Sequence, residues 1–288
     1  MKPVLVHVHI FYPDLWAELK ECIKNIAPHP FELFVTMVEE HRDIIDDVTS
    51  SFPDAKIEVV ENRGYDVGPF VHILNQLNLD DYSYVIKLHT KRNMPQGSTL
   101  NYYDISGERW RKYALSMISS KENFNKCLNV FEQNNKIGMV TDYHLMVCKE
   151  REDMESYKNA LEILSKLGLK TQKCKYVAGT MFMARTHVFK IVSKLNLKID
   201  DFEVPDNKHK KITLAHVMER LFGCLITAQG YDILDIINNK KYNRCNFGWF
   251  WKIVRFLYQK KISRSGMLTI KVIKLPIYRK QLNIVRER

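Results

Sequence analysis

Residues 84–93, YVIKLHTKRN, read as a strand that ends in a cluster of cationic and hydroxyl side chains. The first five residues alternate or stay apolar, as in a strand buried inside a sheet. His89, Thr90, Lys91 and Arg92 then follow in a row. Because the ligands of α/β proteins bind at the carboxyl ends of parallel strands, this ending predicts an anion-binding site. No glycine-rich phosphate loop surrounds it, so the anion has to be identified from other motifs.

The residues before this stretch alternate between predicted strands and predicted helices. The strands are Val4–Phe11, Phe31–Val38, Lys56–Val60 and Tyr82–Leu88, and the helices are Leu15–Ile26, Asp43–Phe52 and Pro69–Leu77. Strands and helices in alternation at this spacing indicate right-handed βαβ units. We therefore predict an α/β fold with a Rossmann-like, mostly parallel sheet flanked by helices.

The middle of the chain is predicted to continue this domain. Its helices are Arg109–Met117, Phe124–Asn134, Met154–Leu167, His187–Leu195 and Thr213–Cys224, and its strands are Ile137–Asp142, Lys175–Ala184 and one that ends at Leu234. No internal repeat and no low-complexity linker interrupts residues 1–239, which we predict to form a single domain.

Composition excludes several classes of protein. With 288 residues, 45% of them hydrophobic, the chain is long and apolar enough to bury a sizeable core. Its six cysteines include no C-x-x-C pair, which favours reduced thiols over zinc ligation or a disulfide framework. The first residues are too polar for a signal peptide, and no run of about 18 apolar residues is present to span a membrane. We expect a cytoplasmic protein.

The positive charge is concentrated at the end of the chain. The net charge is +11, but residues 240–288 alone carry 14 Lys or Arg against one acid, and residues 1–239 are nearly neutral. Aromatic residues such as Trp249, Trp251 and Tyr258 are mixed with these cations. This mixture predicts a basic aromatic helical tail that lies on an anionic membrane surface. The alternatives are a terminal helix packed on the body of the protein and an RNA-binding tail.

Residues 61–70, ENRGYDVGPF, follow a predicted strand and precede a predicted helix. Asn62 and Gly64 allow a sharp turn that approaches a ligand closely. Arg63 adds a cation and Asp66 an acceptor, so the turn is suited to close over a nucleotide and to bond its ribose or base. The alternative is a surface turn in which Asp66 merely caps the following helix.

Two histidines, His7 and His9, lie at the end of the first predicted strand, and Tyr12 follows them. The histidines share one face because the side chains of a strand alternate with a period of two. Such a pair can bind a metal, but no third ligand of matching spacing follows nearby. We expect the two histidines to line a pocket or to fill a polar gap in the core.

Two later motifs carry further candidate site residues. In residues 179–185, GTMFMAR, Gly179 lets a ligand approach the strand closely, and core packing is the equal alternative. In residues 216–220, HVMER, His216 and Glu219 fall on one face of a predicted helix. A carboxylate beside a histidine is suited to act as a general base, and a surface ion cluster is the alternative.

The cluster that follows the opening strand, His89–Arg92, matches the chemistry of a diphosphate. Its lysine and arginine can neutralise the negative charge, and its histidine and threonine can donate hydrogen bonds. Residues 107–113, GERWRKY, add Trp110 and Arg111 further along the chain. An aromatic side chain beside a cation is suited to the face of a sugar and its phosphate.

Taken in order, these motifs resemble the rhamnan synthesis protein F family. The shared order is HVHIFYPDLW, FELFVT, ENRGYDVGPF, YVIKLHTKR, ERWR, KIGMV, YVAGTMFMAR and HVMERLFG, over about residues 1–235. Proteins of this family are associated with the assembly of bacterial rhamnose-containing and related cell-surface polysaccharides, and they look like glycosyltransferases of the GT-A type. The resemblance implies a GT-A-like fold for residues 1–239, and the basic tail lies outside it.

The resemblance to GT-A enzymes also implies that the strand end at His89 faces the donor diphosphate. Many such enzymes carry an Asp-x-Asp pair there, which holds a divalent metal. This chain has His89, Thr90 and Lys91 instead. We therefore expect that no metal or other cofactor is required, and that His89, Lys91 and Arg92 replace the charge of Mg²⁺ or Mn²⁺.

The same resemblance distributes roles among the candidate residues. The donor nucleotide sugar is expected to contact His9, Tyr12, Asn62, Arg63, Gly64, Asp66, His89, Thr90, Lys91 and Arg92. The acceptor is expected to contact Trp110, Arg111, Gly179 and Thr180. Glu219 and Asp142 are the candidates for the base of an inverting transfer, and Glu219 is preferred, with His216 to orient it. A retaining enzyme needs no such base, and the stereochemistry stays open.

The predicted function is a glycosyltransferase at the inner face of the cytoplasmic membrane. It moves a sugar, rhamnose or another hexose, from a nucleotide-diphosphate sugar to a lipid-linked saccharide in the synthesis of a bacterial surface polysaccharide such as O-antigen, capsule or rhamnan. No nucleic acid is expected as a partner. The alternatives are a non-catalytic carbohydrate-binding or scaffold subunit of a polysaccharide assembly complex, and a sugar-phosphate transferase.

Overall fold

The strands that the structure describes form one large sheet and three small ones. A computed structural model describes residues 2–92, 99–100, 103–104, 107–148, 154–171, 175–206, 212–236, 258–262, 267–273 and 275–281. The strands are β1 (Val4–Ile10), β2 (Phe31–Met37), β3 (Lys56–Val59), β4 (Tyr84–His89), β5 (Thr99–Leu100), β6 (Tyr103–Asp104), β7 (Ile137–Thr141), β8 (Met146–Cys148), β9 (Lys175–Val177), β10 (Phe182–Arg185), β11 (Asp232–Asp235), β12 (Tyr258–Ile262), β13 (Met267–Val272) and β14 (Leu275–Gln281).

The helices lie between these strands. The α-helices are α1 (Trp16–Lys24), α2 (Ile45–Ser51), α3 (Val67–Gln76), α4 (Gly107–Ala114), α5 (Lys121–Gln133), α6 (Met154–Lys166) and α7 (Leu214–Ala228). The 3₁₀ segments are Pro13–Leu15, Glu39–Ile44, Leu79–Asp81, Ser116–Ile118, Tyr143–Leu145, Thr186–Leu195 and Ile199–Asp201.

The large sheet has the strand order β11-β7-β10-β4-β1-β2-β3. All neighbours are parallel except β10, which runs antiparallel to both β4 and β7. From β1 the chain moves to β2 and β3 on one side, whereas β4 lies on the other side. The carboxyl ends of β1 and β4 therefore form a topological switch point, where open α/β sheets bind ligands. The predicted α/β fold with a mostly parallel sheet is confirmed, and the GT-A type stays a prediction.

The core is built on both faces of the large sheet. Every residue of β1 and residues 85–89 of β4 are buried. Phe70, Phe182, Phe189 and Phe222 pack on one face, with ring centroids 5.5–6.2 Å apart. Pairs of this kind stabilise by about 0.5–1.5 kcal/mol beyond the burial of their area. This cluster holds α3 and α7 against β10.

The predicted strand Lys175–Ala184 is wrong because the chain turns in its middle. β9 pairs with β8 in a small sheet, and β10 enters the large sheet. Between them Gly179 (φ +80°) and Thr180 (φ +53°) are left-handed, a conformation that ends a strand. A Cβ on residue 179 would lie 2.3 Å from the ring of Trp110, so the turn also needs glycine for space.

The predicted helical tail is also wrong wherever the structure describes it. The described residues between 258 and 281 form β12, β13 and β14 of an antiparallel sheet. Residues 237–257, which hold most aromatic residues of the tail, lie outside the described residues. The division of the chain at residue 239 stays a prediction. Among the described helices, none combines the length and the apolar character needed to cross a lipid bilayer.

The helix that carries two candidate site residues depends on one glycine. Gly223 lets α7 approach β9, and a Cβ there would lie 2.0 Å from the carbonyl oxygen of Lys175. Alanine normally stabilises a helix relative to glycine. Here the added methyl group has to push α7 away from β9, so we expect Gly223→Ala to lower the free energy of unfolding by about 1–3 kcal/mol.

Urea denaturation measures this effect. Ser165→Ala on the exposed side of α6 is the matched control, and it should leave the stability unchanged or slightly higher. A Gly223→Ala protein as stable as the control variant would contradict the close packing of α7 on β9.

Candidate functional site

A cavity of about 350 Å³ lies at the carboxyl ends of β1 and β4, beside the switch point of the sheet. Its volume is within the range of small-molecule sites. The predicted site residues that line it are His9, Tyr12, Asn62, Asp66, His89, Thr90, Lys91, Gly179, Thr180, His216 and Glu219. Five lining residues were not predicted: Phe11, Tyr65, Val67, Pro205 and Ala215. The other predicted residues, Arg63, Gly64, Arg92, Trp110, Arg111 and Asp142, do not line it.

A row of polar side chains crosses the large sheet beneath the cavity. In the β1–β4 register His9 pairs with His89, and in the β1–β2 register it pairs with Thr36. The hydroxyl of Thr36 lies 3.0 Å from Nδ1 of His9 and 2.9 Å from Nε2 of His7. A hydroxyl can donate to one ring and accept from the other. The prediction that His7 and His9 share one face is confirmed.

The histidines of this row are neutral at physiological pH. Burial lowers the pKa of His9 to about 4 and the pKa of His89 to about 3. Nδ1 of His89 lies 3.3 Å from the carboxylate of Asp66. The prediction that His89 supplies positive charge to a ligand is therefore wrong, because its environment removes that charge.

The floor of the cavity contains a buried ion pair that sequence analysis missed. Lys87 on β4 is 0% exposed, and its ammonium group donates to the carboxylate of Asp66 and to the hydroxyl of Thr180, the latter at 2.7 Å. The hydroxyl of Thr180 in turn donates to Asp66. The ammonium also lies 5.4 Å from the ring centroid of Phe70, within cation–π range. Its signal in the sequence was a lysine inside an otherwise apolar strand.

Asp66 owes its charge to this environment. Burial alone would raise its pKa, but Lys87 and His89, which is protonated at the low pH where Asp66 titrates, outweigh burial and hold the pKa of Asp66 well below its usual value. Asp66 immediately precedes α3, yet its side chain makes no capping hydrogen bond to that helix. The alternative in which Asp66 merely caps the helix is therefore not what the structure shows, although a negative charge at this end is also favourable to the helix dipole.

Thr90 closes the wall between the ends of β1 and β4. Its hydroxyl accepts hydrogen bonds from the backbone N–H groups of Phe11 and Tyr12, at 2.9 and 2.8 Å. Its own N–H donates to the carbonyl of His9 at 3.0 Å. Thr90, which was predicted to donate a hydrogen bond to a ligand, thus also fixes the backbone that carries Tyr12.

Lys91 is the cation that faces the cavity without a carboxylate beside it, among the residues that the structure describes. Its ammonium lies 5.1 Å from the centroid of the Trp110 ring, which holds it by a cation–π contact. Arg92 instead pairs with Asp14 at 2.9 Å and lies over the ring of Tyr12, and it does not itself line the cavity. The cationic cluster predicted from the sequence is thereby reduced to one lysine.

Trp110 and Arg111 have structural contacts in place of the predicted acceptor contacts. Trp110 is 1% exposed and packs under Gly179. Arg111 forms an ion pair with Glu18 at 2.7 Å. The indole therefore supports both Lys91 and the turn at Gly179 from below, because its ring touches each of them.

Glu219 on α7 reaches the cavity and is held at both oxygens. Its Oε1 accepts a hydrogen bond from the backbone N–H of Gly179 at 2.6 Å, and its Oε2 accepts from Arg220. His216 does not orient Glu219 as predicted, since its Nδ1 lies 2.7 Å from the hydroxyl of Thr213 in a capping box at the start of α7.

Asp142, the other predicted base, is buried outside the cavity lining. It follows β7 and accepts hydrogen bonds from His144, from the backbone N–H at 2.8 Å and from the ring at 2.7 Å. Burial raises its pKa.

The turn before α3 holds two more predicted residues that do not line the cavity. Arg63 pairs with Glu61 at 2.8 Å. Gly64 has a φ of +67° and packs against Phe202. Asp142, Arg63 and Gly64 thus shape the surroundings of the site.

The carboxylates that line the cavity, among the residues that the structure describes, are already engaged within the protein. These two carboxylates, Asp66 and Glu219, are each paired with a cation of the protein. Within the described residues, no group of three or more His, Cys, Asp or Glu side chains is arranged to hold a metal ion. A hard cation such as Mg²⁺ needs carboxylate oxygens that are free to coordinate it.

The ion pair in the floor should be worth more to stability than an exposed pair. We expect Lys87→Met to lower the free energy of unfolding by about 3–5 kcal/mol, because it leaves the Asp66 carboxylate, whose side chain is only 18% exposed, without its cation. Lys24→Met is the matched control: Lys24 pairs with Glu21, and the two side chains are 51% and 67% exposed. Its loss should change stability by less than about 1 kcal/mol. Urea unfolding at pH 7 compares the two variants, and equal effects would contradict a buried pair.

The neutral histidines predict a stability that falls in mild acid. Their folded pKa values lie below the unfolded value of 6.5, so the unfolded chain binds more protons as the pH drops. The part of the folding stability that depends on neutral histidines is complete above pH 6.5. It is lost as the pH falls toward 4, by about 1.4 kcal/mol per pH unit for each histidine. Asp66 stays charged in this window because its pKa is lower still.

His89→Gln tests this expectation, because the amide does not titrate. Urea denaturation between pH 6.5 and pH 4.5 should show a shallower loss of stability in the variant than in the natural protein. The same slope in both proteins would show that His89 is already protonated in the fold.

Comparison with known proteins places the chain in a family. Two relatives are the uncharacterized protein WxcX from Xanthomonas campestris pv. campestris strain B100 and its counterpart from strain ATCC 33913, each 24% identical over 235 residues. The match covers 80% of this chain but only 32% of the relatives, so the chain spans about a third of their length. The profile of rhamnan synthesis protein F matches residues 1–231, which include every strand of the large sheet except β11 and the whole lining of the cavity. The chain belongs to the rhamnan synthesis protein F family.

Proposed function

We propose that this chain is a glycosyltransferase that moves a sugar from a nucleotide-diphosphate sugar to a saccharide acceptor. The observation that carries the proposal is a cavity at the switch point that holds both Lys91, a cation with no carboxylate beside it in the described part of the chain, and a carboxylate, Glu219. A leaving diphosphate needs the first and an attacking hydroxyl group needs the second. The family's role in rhamnan synthesis supplies the class of product.

The donor is proposed to lie along the wall formed by the ends of β1 and β4. Tyr12 and Asn62 offer an aromatic face and an amide for the nucleoside, and both line the cavity. Lys91 is proposed to neutralise the diphosphate. It lies on the Trp110 ring at 5.1 Å, so little freedom is lost when the diphosphate binds.

The chemical step follows from these positions. The hydroxyl oxygen of the acceptor attacks the anomeric carbon of the donor, and the bond from that carbon to the phosphate oxygen breaks. Glu219 accepts the proton of the hydroxyl group, and the nucleoside diphosphate leaves beside Lys91. Each oxygen of Glu219 accepts one hydrogen bond from the protein and keeps a second lone pair for this proton. The transfer is inverting in this proposal.

Metal independence is part of the proposal. Asp66 and Glu219 are both paired with cations of the protein, and His89 and Thr90 stand where an acidic pair would hold a metal. Lys91 is proposed to supply the positive charge that a divalent ion supplies in GT-A enzymes.

The acceptor is proposed to be a lipid-linked saccharide at the inner face of the cytoplasmic membrane, and the transferred sugar to be rhamnose or another hexose. Residues 240–288, with 14 Lys or Arg and one acid, are proposed to bind anionic lipids there. Leu275 and Ile277 on β14 are 68% and 63% exposed and add apolar contacts to this basic surface.

A non-catalytic carbohydrate-binding subunit is the second candidate. One observation favours it: both oxygens of Glu219 are already hydrogen-bonded, to Gly179 and to Arg220. A carboxylate fixed in this way is suited to hold a sugar hydroxyl group as well as to deprotonate it.

Glu219→Gln should lower kcat at least about 100-fold, because a neutral amide cannot accept the proton. The assay combines nucleotide-diphosphate sugars with saccharides that carry an alkyl chain, and it follows release of nucleoside diphosphate and the mass of the acceptor. Glu162→Gln, on an exposed position of α6, is the matched control and should keep the natural rate.

The mass of the product separates the candidate functions. A transferase adds one sugar residue, a sugar-phosphate transferase adds a sugar and a phosphate, and a binding subunit adds nothing. One arm of the assay contains excess EDTA, and the rate should stay the same there. A complete loss that Mn²⁺ or Mg²⁺ restores would overturn metal independence and leave the transferase proposal standing.

A further inference from the structure

The turn between β9 and β10 adopts a backbone conformation that threonine rarely takes. Gly179 and Thr180 both have positive φ, at +80° and +53°. Glycine tolerates this conformation, but in a β-branched residue the side chain crowds the backbone. Such residues persist only where their surroundings hold them, and they concentrate at functional sites. The contacts of Thr180 therefore indicate the purpose of the turn.

Two sets of contacts hold the turn. The hydroxyl of Thr180 accepts a hydrogen bond from Lys87 at 2.7 Å and donates one to Asp66. The ring of Trp110 lies directly under Gly179 and leaves no room for a side chain there. Lys87 and Thr180 are 0% and 3% exposed, so water does not compete for these hydrogen bonds.

The turn reaches the proposed base through one backbone group. The N–H of Gly179 donates to Oε1 of Glu219 at 2.6 Å, and Arg220 donates to the other oxygen. One oxygen is thus fixed by the turn and the other by the helix that carries Glu219. In an extended strand, successive N–H groups point to alternate sides. A turn that relaxed toward strand geometry would therefore release Oε1.

We propose that Lys87 and Thr180 are positioning residues for Glu219. They hold residues 179–180 in the left-handed conformation, so that the N–H of Gly179 keeps the carboxylate directed into the cavity. This inference rests on the proposed function, in which Glu219 accepts the proton of the acceptor. It also connects the turn to the floor of the cavity, because the hydroxyl of Thr180 donates to Asp66 there.

Thr180→Val tests the proposal, because it removes the hydroxyl group and keeps the branched shape and the pair between Lys87 and Asp66. We expect kcat to fall about tenfold or more, with KM for the donor within about threefold of the natural value, since a misdirected base slows the chemical step more than binding. Thr180→Ser keeps the hydroxyl group and should restore most of kcat. Thr49→Val on α2 is the matched control elsewhere in the fold. Unchanged kcat in Thr180→Val overturns the proposal.

A second measurement does not need activity. Amide hydrogen exchange of Gly179 is followed by NMR, because the N–H of this residue donates to Oε1 of Glu219 at 2.6 Å. Loss of this hydrogen bond should make the exchange of the Gly179 amide about tenfold faster or more in Thr180→Val and not in Thr180→Ser. The same exchange rate in all three proteins overturns the positioning role. A natural protein with no transferase activity but with this change in exchange would overturn the proposed function alone.

Discussion

The buried ion pair between Lys87 and Asp66 is the constraint on which the arrangement of the cavity depends. A lysine in the middle of a sheet strand is stable only where a carboxylate and further polar groups replace its water. The carboxylate comes from the turn before α3, and the hydroxyl of Thr180 comes from the turn before β10. Three segments that are distant in the sequence are thereby fixed at one point. None of them can move alone, because any movement would uncover part of this charge.

Local properties of the sequence were enough to predict the parallel half of the sheet and the edge at which the cavity lies. The alternation of strand and helix sets the chain direction, and the residues that end β1 and β4 follow from it. Lys87 was missed because only its partner in another segment explains a lysine there. The turn at Gly179 was missed because an apolar run with one glycine is equally compatible with one strand and with two. The packing of Trp110 under Gly179 decides between them. Composition alone assigned a helix to the tail, and composition carries no information on strand pairing.

Burial also changes the charge that the sequence assigns to the cavity. Of the cluster that follows β4, His89 is neutral and Arg92 is paired with Asp14, so Lys91 carries the positive charge that the described residues present to a ligand. Net positive charge spread over a surface attracts polyanions such as nucleic acids. One lysine in a wall of neutral histidines and aromatic rings is instead complementary to a ligand with a single charged group and a neutral polar remainder.

The antiparallel strand β10 has a consequence for the synthesis of the protein on the ribosome. β4 can pair with β1 once His89 has been added, but its other edge stays open until Phe182–Arg185 emerge. During that interval an apolar strand offers unpaired N–H and C=O groups, the kind of edge on which nascent chains aggregate. Lys87 lies in the middle of this strand, and a charged side chain within an open edge discourages pairing with another chain. A lysine at this position therefore disfavours such pairing for as long as β10 is missing.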